Sequence, residues 1–388
     1  MPEVRVAGVG LTPFGVHPER TGRDLFAEAA LAAIDDAGVD RTAIEGLFYG
    51  NFMGELAEHQ GHYGPLAADM VGLDVPTIRF ESACASSGSA AREAVKNLRN
   101  GEADVLLVGG TERMNNLGTG GATEALAIAA DDLYEVRAGM TFPGAYALMQ
   151  AAYHEEYGGS REDLAHVAVK NHDNALGNEY AQFRKSITVD DHLEAPMISE
   201  PVGLYDSCPI TDGASAIVLV SDNYAEANGL DAQVAVTGTG QGGDKMALQD
   251  RDYLARTPAS DDAAAEAYAD AGIDAEDVDL AEVHDCFTIA EVLAIESLGF
   301  YEPGTGIDAA RRGATTSDGD RPINLSGGLK AKGHPVGATG TSQLAEMTRL
   351  LRGDHPNSGA VSGATTGVTH NAGGTVASAI VHVLEVAT

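Results

Sequence analysis

An internal duplication, kept in order more than in identity, constrains this chain more than any other feature. A β-branched run ending in Gly-x-Gly, VRVAGVG at residues 4–10, returns as VAVTGTG at 234–240. An Ala-rich helical stretch with a glycine stop then leads twice into an apolar strand, in AGVDRTAIEGLFYGNF from Ala37 and in AGIDAEDVDLAEVHDCF from Ala271. Glycine just past a helix adopts the left-handed conformation that ends it without strain. A third pair joins a small-residue turn to a helix: CASSGSAAREAVKNLRNG from Cys84 and HPVGATGTSQLAEMTRLLRG from His334. Strands are expected after both helices, at DVLLVGG (104–110) and SGAVSGA (358–364). Strands alternating with long helices predict parallel pairing through crossover helices, so each half reads as a layered α/β unit.

The first half carries extra sequence before TDGASAIVLVSD (211–222) resumes a strand. We read residues 115–207 as a mostly helical insertion, with helical apolar spacing at Leu164, Val167 and Val169. The chain then divides into 1–114 (first part of the N-terminal half), 115–207 (inserted loop domain), 208–232 (return strand of that half) and 233–388 (C-terminal half). No long Pro/Gly/Ser linker separates the halves, so they are expected to pack together.

The 58 Asp and Glu residues against 24 Lys and Arg give a net charge of −34, which excludes a nucleic-acid groove as the main surface. Apolar residues make up 44%, so this is not a disordered acidic chain. The acids are scattered and only six cations are lysine, the pattern of a halophilic surface solvated in concentrated salt. Cys84, Cys208 and Cys286 form no CxxC pair and no disulfide framework, which predicts a reducing cytoplasmic setting. Neither a cationic leader with an apolar core nor a membrane-spanning apolar run is present, so neither a signal peptide nor a membrane span is expected.

Cys84 stands where a strand ends and an Ala/Ser-rich helix begins. Free backbone N–H groups and the helix dipole there favour a thiolate, making Cys84 a candidate nucleophile. By the duplication, His334 occupies the equivalent position in the second half, which suggests a nucleophile and a base facing each other across a pseudo-dyad. His284 and Cys286, in AEVHDCFTIAE, end an apolar strand, where open α/β sheets place their sites; the alternative is packing for Cys286 and a helix cap for Asp285. His370 and Asn371 precede Gly373 and Gly374, whose backbone can approach a ligand closely enough to form an oxyanion hole. Gly238-Thr-Gly240-Gln-Gly-Gly243 satisfies GxGxxG, yet no suitable helix follows and the motif repeats Gly8-Val-Gly10, so no dinucleotide site is expected. His59 and His62 lack a third ligand and are read as surface residues, with no metal site.

Together these motifs resemble the thiolase superfamily, in the branch of archaeal acetyl-CoA acetyltransferases and sterol-carrier-protein-type thiolases. Cys84-Ala-Ser86, His284-Asp-Cys286-Phe287, Gly333-His334-Pro335 and His370-Asn371-Ala-Gly-Gly carry the resemblance along essentially the whole chain. It implies a five-layered α-β-α-β-α fold of two similar domains, with an inserted loop domain that helps to bind CoA. It also implies acetyl-CoA C-acyltransferase (β-ketothiolase) chemistry: reversible Claisen condensation through a Cys84 acyl-enzyme, with His334 activating the thiol. CoA and acyl-CoA would be substrates, and no cofactor is expected.

Better-known thiolases place a second cysteine near the position of His370, which leaves the second acid/base between His370 and Cys286. An imidazole with an ordinary pKa of about 6.5 suits that task, and His370 is favoured. His284 replaces the family's asparagine and inherits its oxyanion role, while Ser207, Asn371, Gly373 and Gly374 are assigned to substrate binding. The resemblance further implies a homodimer or dimer of dimers, and a separately encoded OB-fold, zinc-ribbon partner. The alternatives are another condensing enzyme (3-hydroxy-3-methylglutaryl-CoA synthase or ketoacyl synthase) or a silent lipid-binding scaffold.

Overall fold

The computed structural model describes residues 3–387. The first half runs β1 (Val4–Leu11), α1 (Gly22–Ala37), β2 (Gly46–Gly50), α2 (Gly54–Ala57), α3 (Tyr63–Val71), β3 (Thr77–Phe80), α4 (Ser86–Arg99) and β4 (Val105–Glu112). A segment with α5 (Gly118–Ala127), α6 (Phe142–Tyr157), α7 (Arg161–Asn174), α8 (Val189–Glu194) and the ribbon β5 (Met197–Ser199) and β6 (Val202–Gly203) follows. The half closes with β7 (Gly213–Ser221) and α9 (Asp222–Asn228). The second half runs β8 (Val234–Gly243), α10 (Pro258–Ala271), β9 (Leu280–Glu282), α11 (Thr288–Ser297), α12 (Gly306–Arg311), α13 (Thr339–Arg352), β10 (Thr366–Gly373) and β11 (Ser378–Val386).

The duplication governs the sheet. The order β2-β4-β7-β1 is repeated as β9-β10-β11-β8, with the same sequence of one parallel and two antiparallel pairings. Pairing is therefore mixed, not purely parallel, because the last strand of each half returns antiparallel beside its first. The halves join edge to edge where Val4–Val6 of β1 pairs with Val234–Val236 of β8. The strand expected at 358–364 is instead a short 3-10 turn, Ser358–Val361, and the strand of that unit is β10.

Alternation along the strands builds the layers. In β4 and β7, Val105, Leu107, Val218 and Val220 pack with α1 and α3, while Leu106, Val108, Ile217 and Leu219 face the inner helices α4 and α13. In the second half Ala379, Val381 and Val383 of β11 pack against α10. Helices thus cover both outer faces and fill the middle, giving the layer order α-β-α-β-α. The repeated Gly-x-Gly now has a packing reason: a Cβ on Gly8 or Gly10 would collide with the backbone of Ala33 or Ala29 in α1, and one on Gly238 or Gly240 with Ala267 or Ala263 in α10. Both GxG pairs lie inside strands, so GxGxxG does not open a helix. Gly38 and Gly272 end α1 and α10 at φ 64° and 75°, the left-handed stops read from the repeat.

No helix among the described residues is long and apolar enough to cross a membrane. Because the net charge of −34 opposes compaction, stability is expected to rise with ionic strength. The melting temperature should fall on dialysis from molar salt into dilute buffer; an unchanged or higher value would show the acidic surface to be incidental.

Candidate active site

The two inner helices meet at their N-termini. A Cβ on Gly340 of α13 would overlap the backbone nitrogen of Gly88 in α4, so position 340 must lack a side chain, whereas one on Gly88 would meet Asn371. Thr341 N–H donates to Ser87 Oγ across the same contact (3.1 Å). The turn before each helix therefore lands at one seam, one carrying Cys84 and the other His334.

Ala83, at φ 49°, bends the chain into the left-handed region immediately before Cys84. Ser86 holds the bend, donating to Ala83 O (2.6 Å) and accepting from Ser82 N–H (3.1 Å). Facing it, His334 N–H donates to Thr211 Oγ1 (3.0 Å), and the residue bridges Ile210 in strand fashion. His334 Nδ1 lies 2.8 Å from Thr339 Oγ1, whose own proton goes to Pro335 O (3.1 Å). Nδ1 must then carry the ring proton, which leaves a lone pair on Nε2.

His284 completes the cluster. One reactive atom each of Cys84, His284 and His334 lies within 4.8 Å of the other two, and the imidazoles stand edge to face with centroids 4.9 Å apart. His284 Nε2 is buried and has no hydrogen-bond partner among the described residues. Asp285 does not cap a helix; it accepts from Leu329 N–H (2.7 Å), Lys330 N–H (3.3 Å) and Asn171 Nδ2 (2.7 Å), tying the His284 loop to the turn before His334.

Cys84, Cys286, His334 and Gly374 border a cavity of about 360 Å³, and Ser207 and Cys208 also line it. Its apolar wall comes from Leu126, Phe142, Tyr146, Ile198 and Leu204 of the inserted segment. Cys208 N–H donates to Cys286 O (3.0 Å), and Ser207 pairs with Phe287. Tyr146 donates to Gly374 O (3.1 Å) and stacks on Phe287 at 4.4 Å, and it lines the cavity beside Cys286. Gly374 is the glycine whose N–H faces the Cys84 thiol, whereas Gly373 borders a neighbouring cleft beside Ser82.

Two sequence expectations require correction. His370 does not face this cavity: side chains alternate along β10, so His370 points to the outer layer, where Nε2 lies 2.8 Å from Ser260 Oγ of α10. Its inward neighbour Asn371 is not free for substrate, because Nδ2 donates to Cys84 O (3.0 Å) and lies 3.2 Å from His284 Nδ1. Tyr146 and Thr339, which sequence reasoning missed, are ordinary helix residues in the chain and reveal a role only through their partners. His59 and His62 are exposed, as read.

Burial dominates the electrostatics. It pushes the Cys84 thiol well above its ordinary value, with nearby Cys286 adding to the effect. It also lowers His334 to about 3 and His284 well below the usual imidazole range. The resting pair is thus a neutral thiol beside a neutral imidazole, and the helix terminus does not produce a standing thiolate. Cys286 is raised to about 12 by the same desolvation.

Comparison with known proteins places these features among relatives. The family model for the thiolase N-terminal domain matches residues 4–223, and that for the thiolase C-terminal domain-like region matches 240–386. Over 386 residues the chain is 42% identical to an acetyl-CoA acetyltransferase of Methanothermobacter thermautotrophicus, covering 99% of this chain and 100% of that one. It is 30% identical to sterol carrier protein 2 of Homo sapiens, covering 95% of this chain and 70% of the relative. Among solved structures, the Ltp2-ChsH2(DUF35) aldolase superposes with a TM-score of 0.81 at 26% identity, over 99% of this chain and 98% of that one.

The neutral resting state is open to direct measurement. Alkylation of Cys84 by iodoacetamide, followed by peptide mass spectrometry against pH, should show its midpoint above the ordinary thiol value of about 8.5. A midpoint near 7 or lower would mean that a thiolate pre-exists.

Proposed function

The chain belongs to the thiolase family and is an acyltransferase, and from that premise we propose that it is an acetyl-CoA C-acyltransferase working through a Cys84 acyl-enzyme. The observation that carries the reading is the convergence of Cys84, His284 and His334 within 4.8 Å at the seam of the two halves. In the first half-reaction the Cys84 proton passes to His334 Nε2 as Sγ attacks the thioester carbonyl of an acyl-CoA. Concerted transfer is what a neutral pair requires. The carbonyl oxygen gains negative charge opposite the Gly374 N–H, a preorganised donor. Collapse expels CoA thiolate, which takes a proton from Cys286 and leaves an acyl group on Cys84.

The Cys286 thiolate so formed is a strong base, because burial raises its pKa. It removes the α-proton of a bound acetyl-CoA whose thioester oxygen accepts from His284 Nε2. The carbanion attacks the acyl carbon, the C–C bond forms, and Cys84 leaves and regains its proton from His334. Acyl-CoA and acetyl-CoA become a 3-ketoacyl-CoA and CoA, and each step reverses in thiolysis. His370 has no part in this scheme, since the outward face of β10 keeps it on Ser260.

We extend the reading to a homodimer or dimer of dimers and to a separately encoded OB-fold, zinc-ribbon partner. The aldolase relative, whose name pairs Ltp2 with ChsH2(DUF35), supports a separately encoded partner without specifying its fold. Light scattering of the purified chain should give at least a dimer; a monomer that is fully active would contradict the assembly.

The chemistry itself is tested by substitution. The wild type should cleave acetoacetyl-CoA with free CoA, and Cys84→Ala should lose both acetylation and turnover. Cys286→Ser should still acetylate Cys84 but lose solvent-deuterium exchange at the α-carbon of bound acetyl-CoA by about 10²-fold or more. His370→Ala should retain exchange. Exchange lost in His370→Ala and intact in Cys286→Ser would return the shuttle to His370.

A further inference from the structure

We infer that Asn371 is a positioning residue that fixes the ring proton of His284 on Nε2, an inference that rests on the acyltransferase reading above. Asn371 and His284 are each 2% exposed, so bulk water does not compete for their polar atoms. The Cys84 carbonyl can only accept a hydrogen bond, so the carboxamide atom 3.0 Å from it is the NH₂ group, whichever way the amide might otherwise be drawn. The same nitrogen lies 3.2 Å from His284 Nδ1 and offers its second hydrogen there. Nδ1 is therefore an acceptor. A neutral imidazole has one N–H, and for His284 it is on Nε2, the buried atom with no partner among the described residues.

The Cys84 carbonyl, an acceptor only, prevents the amide from turning over. Asn371 Oδ1 sits 2.6 Å from where a Cβ on Gly88 would be and 2.5 Å from where one on Gly340 would be, in the gap that those glycines leave. Rotation would set Oδ1 against the Cys84 carbonyl, oxygen to oxygen. His334, less than a ring width away, is set in the opposite tautomer because its Nδ1 faces Thr339 and not an NH₂ group. One imidazole thereby offers a lone pair for the Cys84 proton, and the other offers an N–H to a substrate oxygen. Asn371 acts through His284 and does not touch the substrate.

The experiment is imidazole ¹⁵N NMR of histidine-labelled enzyme, with the His284 signals identified by their absence in His284→Gln. In the wild type, Nε2 should be protonated and Nδ1 bare. Asn371→Asp keeps the shape but presents an oxygen to Nδ1, so the proton should move to Nδ1, and kcat for acetoacetyl-CoA cleavage should fall by about 10²-fold or more. A protonated Nδ1 in the wild type overturns the inference without any variant, as does an Asn371→Asp enzyme that keeps both the Nε2 proton and kcat. Failure of wild-type Cys84 to acetylate would refute the acyl-enzyme reading instead, and leaves the wild-type tautomer readable.

Discussion

The site depends on one steric constraint: two helices from different halves of the chain can touch at Gly88 and Gly340 only because Gly340 has no side chain to strike the Gly88 backbone. That contact brings two helix N-termini, far apart in sequence, to a common seam. The turn ahead of one ends in Cys84 and the turn ahead of the other begins with His334. It also leaves the gap that Asn371 fills. A side chain at Gly340 would separate nucleophile from base, and one at either glycine would crowd the seat of Asn371.

Desolvation then decides the protonation states. The helix dipole favours a thiolate at Cys84, by at most about 2 kcal/mol in partly buried settings. Complete burial acts in the opposite direction and prevails, holding the thiol and both imidazoles neutral. A neutral site suits a reaction that must accept and release charge in step with substrate. In the proposed cycle charge rests on Cys286 and His334 only between the two half-reactions, and the charge developing on substrate oxygen is met by donors at Gly374 and His284. The inserted segment supplies the apolar wall and, through Tyr146, a hydroxyl that holds the Gly374 turn.

Much of this was legible in the chain because duplication is a strong signal. Paired GxG strands, paired glycine stops and paired turn-helix units gave the two halves, and the equivalence of Cys84 and His334 followed without a structure. The mixed pairing was not legible: alternating strands and helices are equally compatible with a parallel sheet, and only the return of β7 and β11 beside β1 and β8 distinguishes the two. The weak run at 358–364 was mistaken for a strand because its small residues carry no clear period, whereas Thr366–Gly373 carries His370 on one face and Asn371 on the other. That alternation is a property of strands, and with β10 in register it would have removed His370 from the shuttle. Asp285, Thr339 and Tyr146 act through partners distant in sequence, which no local pattern records.

The glycine contact can be tested by the rate at which Cys84 of Gly340→Ala becomes acetylated, read by mass spectrometry of rapidly quenched mixtures with acetyl-CoA. The comparison is made at a temperature where circular dichroism shows both proteins equally folded. If the contact sets the distance between nucleophile and base, the added methyl group should slow acetylation by about 10²-fold, the scale of a displacement near 1 Å in a catalytic pair. An acetylation rate equal to that of the wild type would contradict the account.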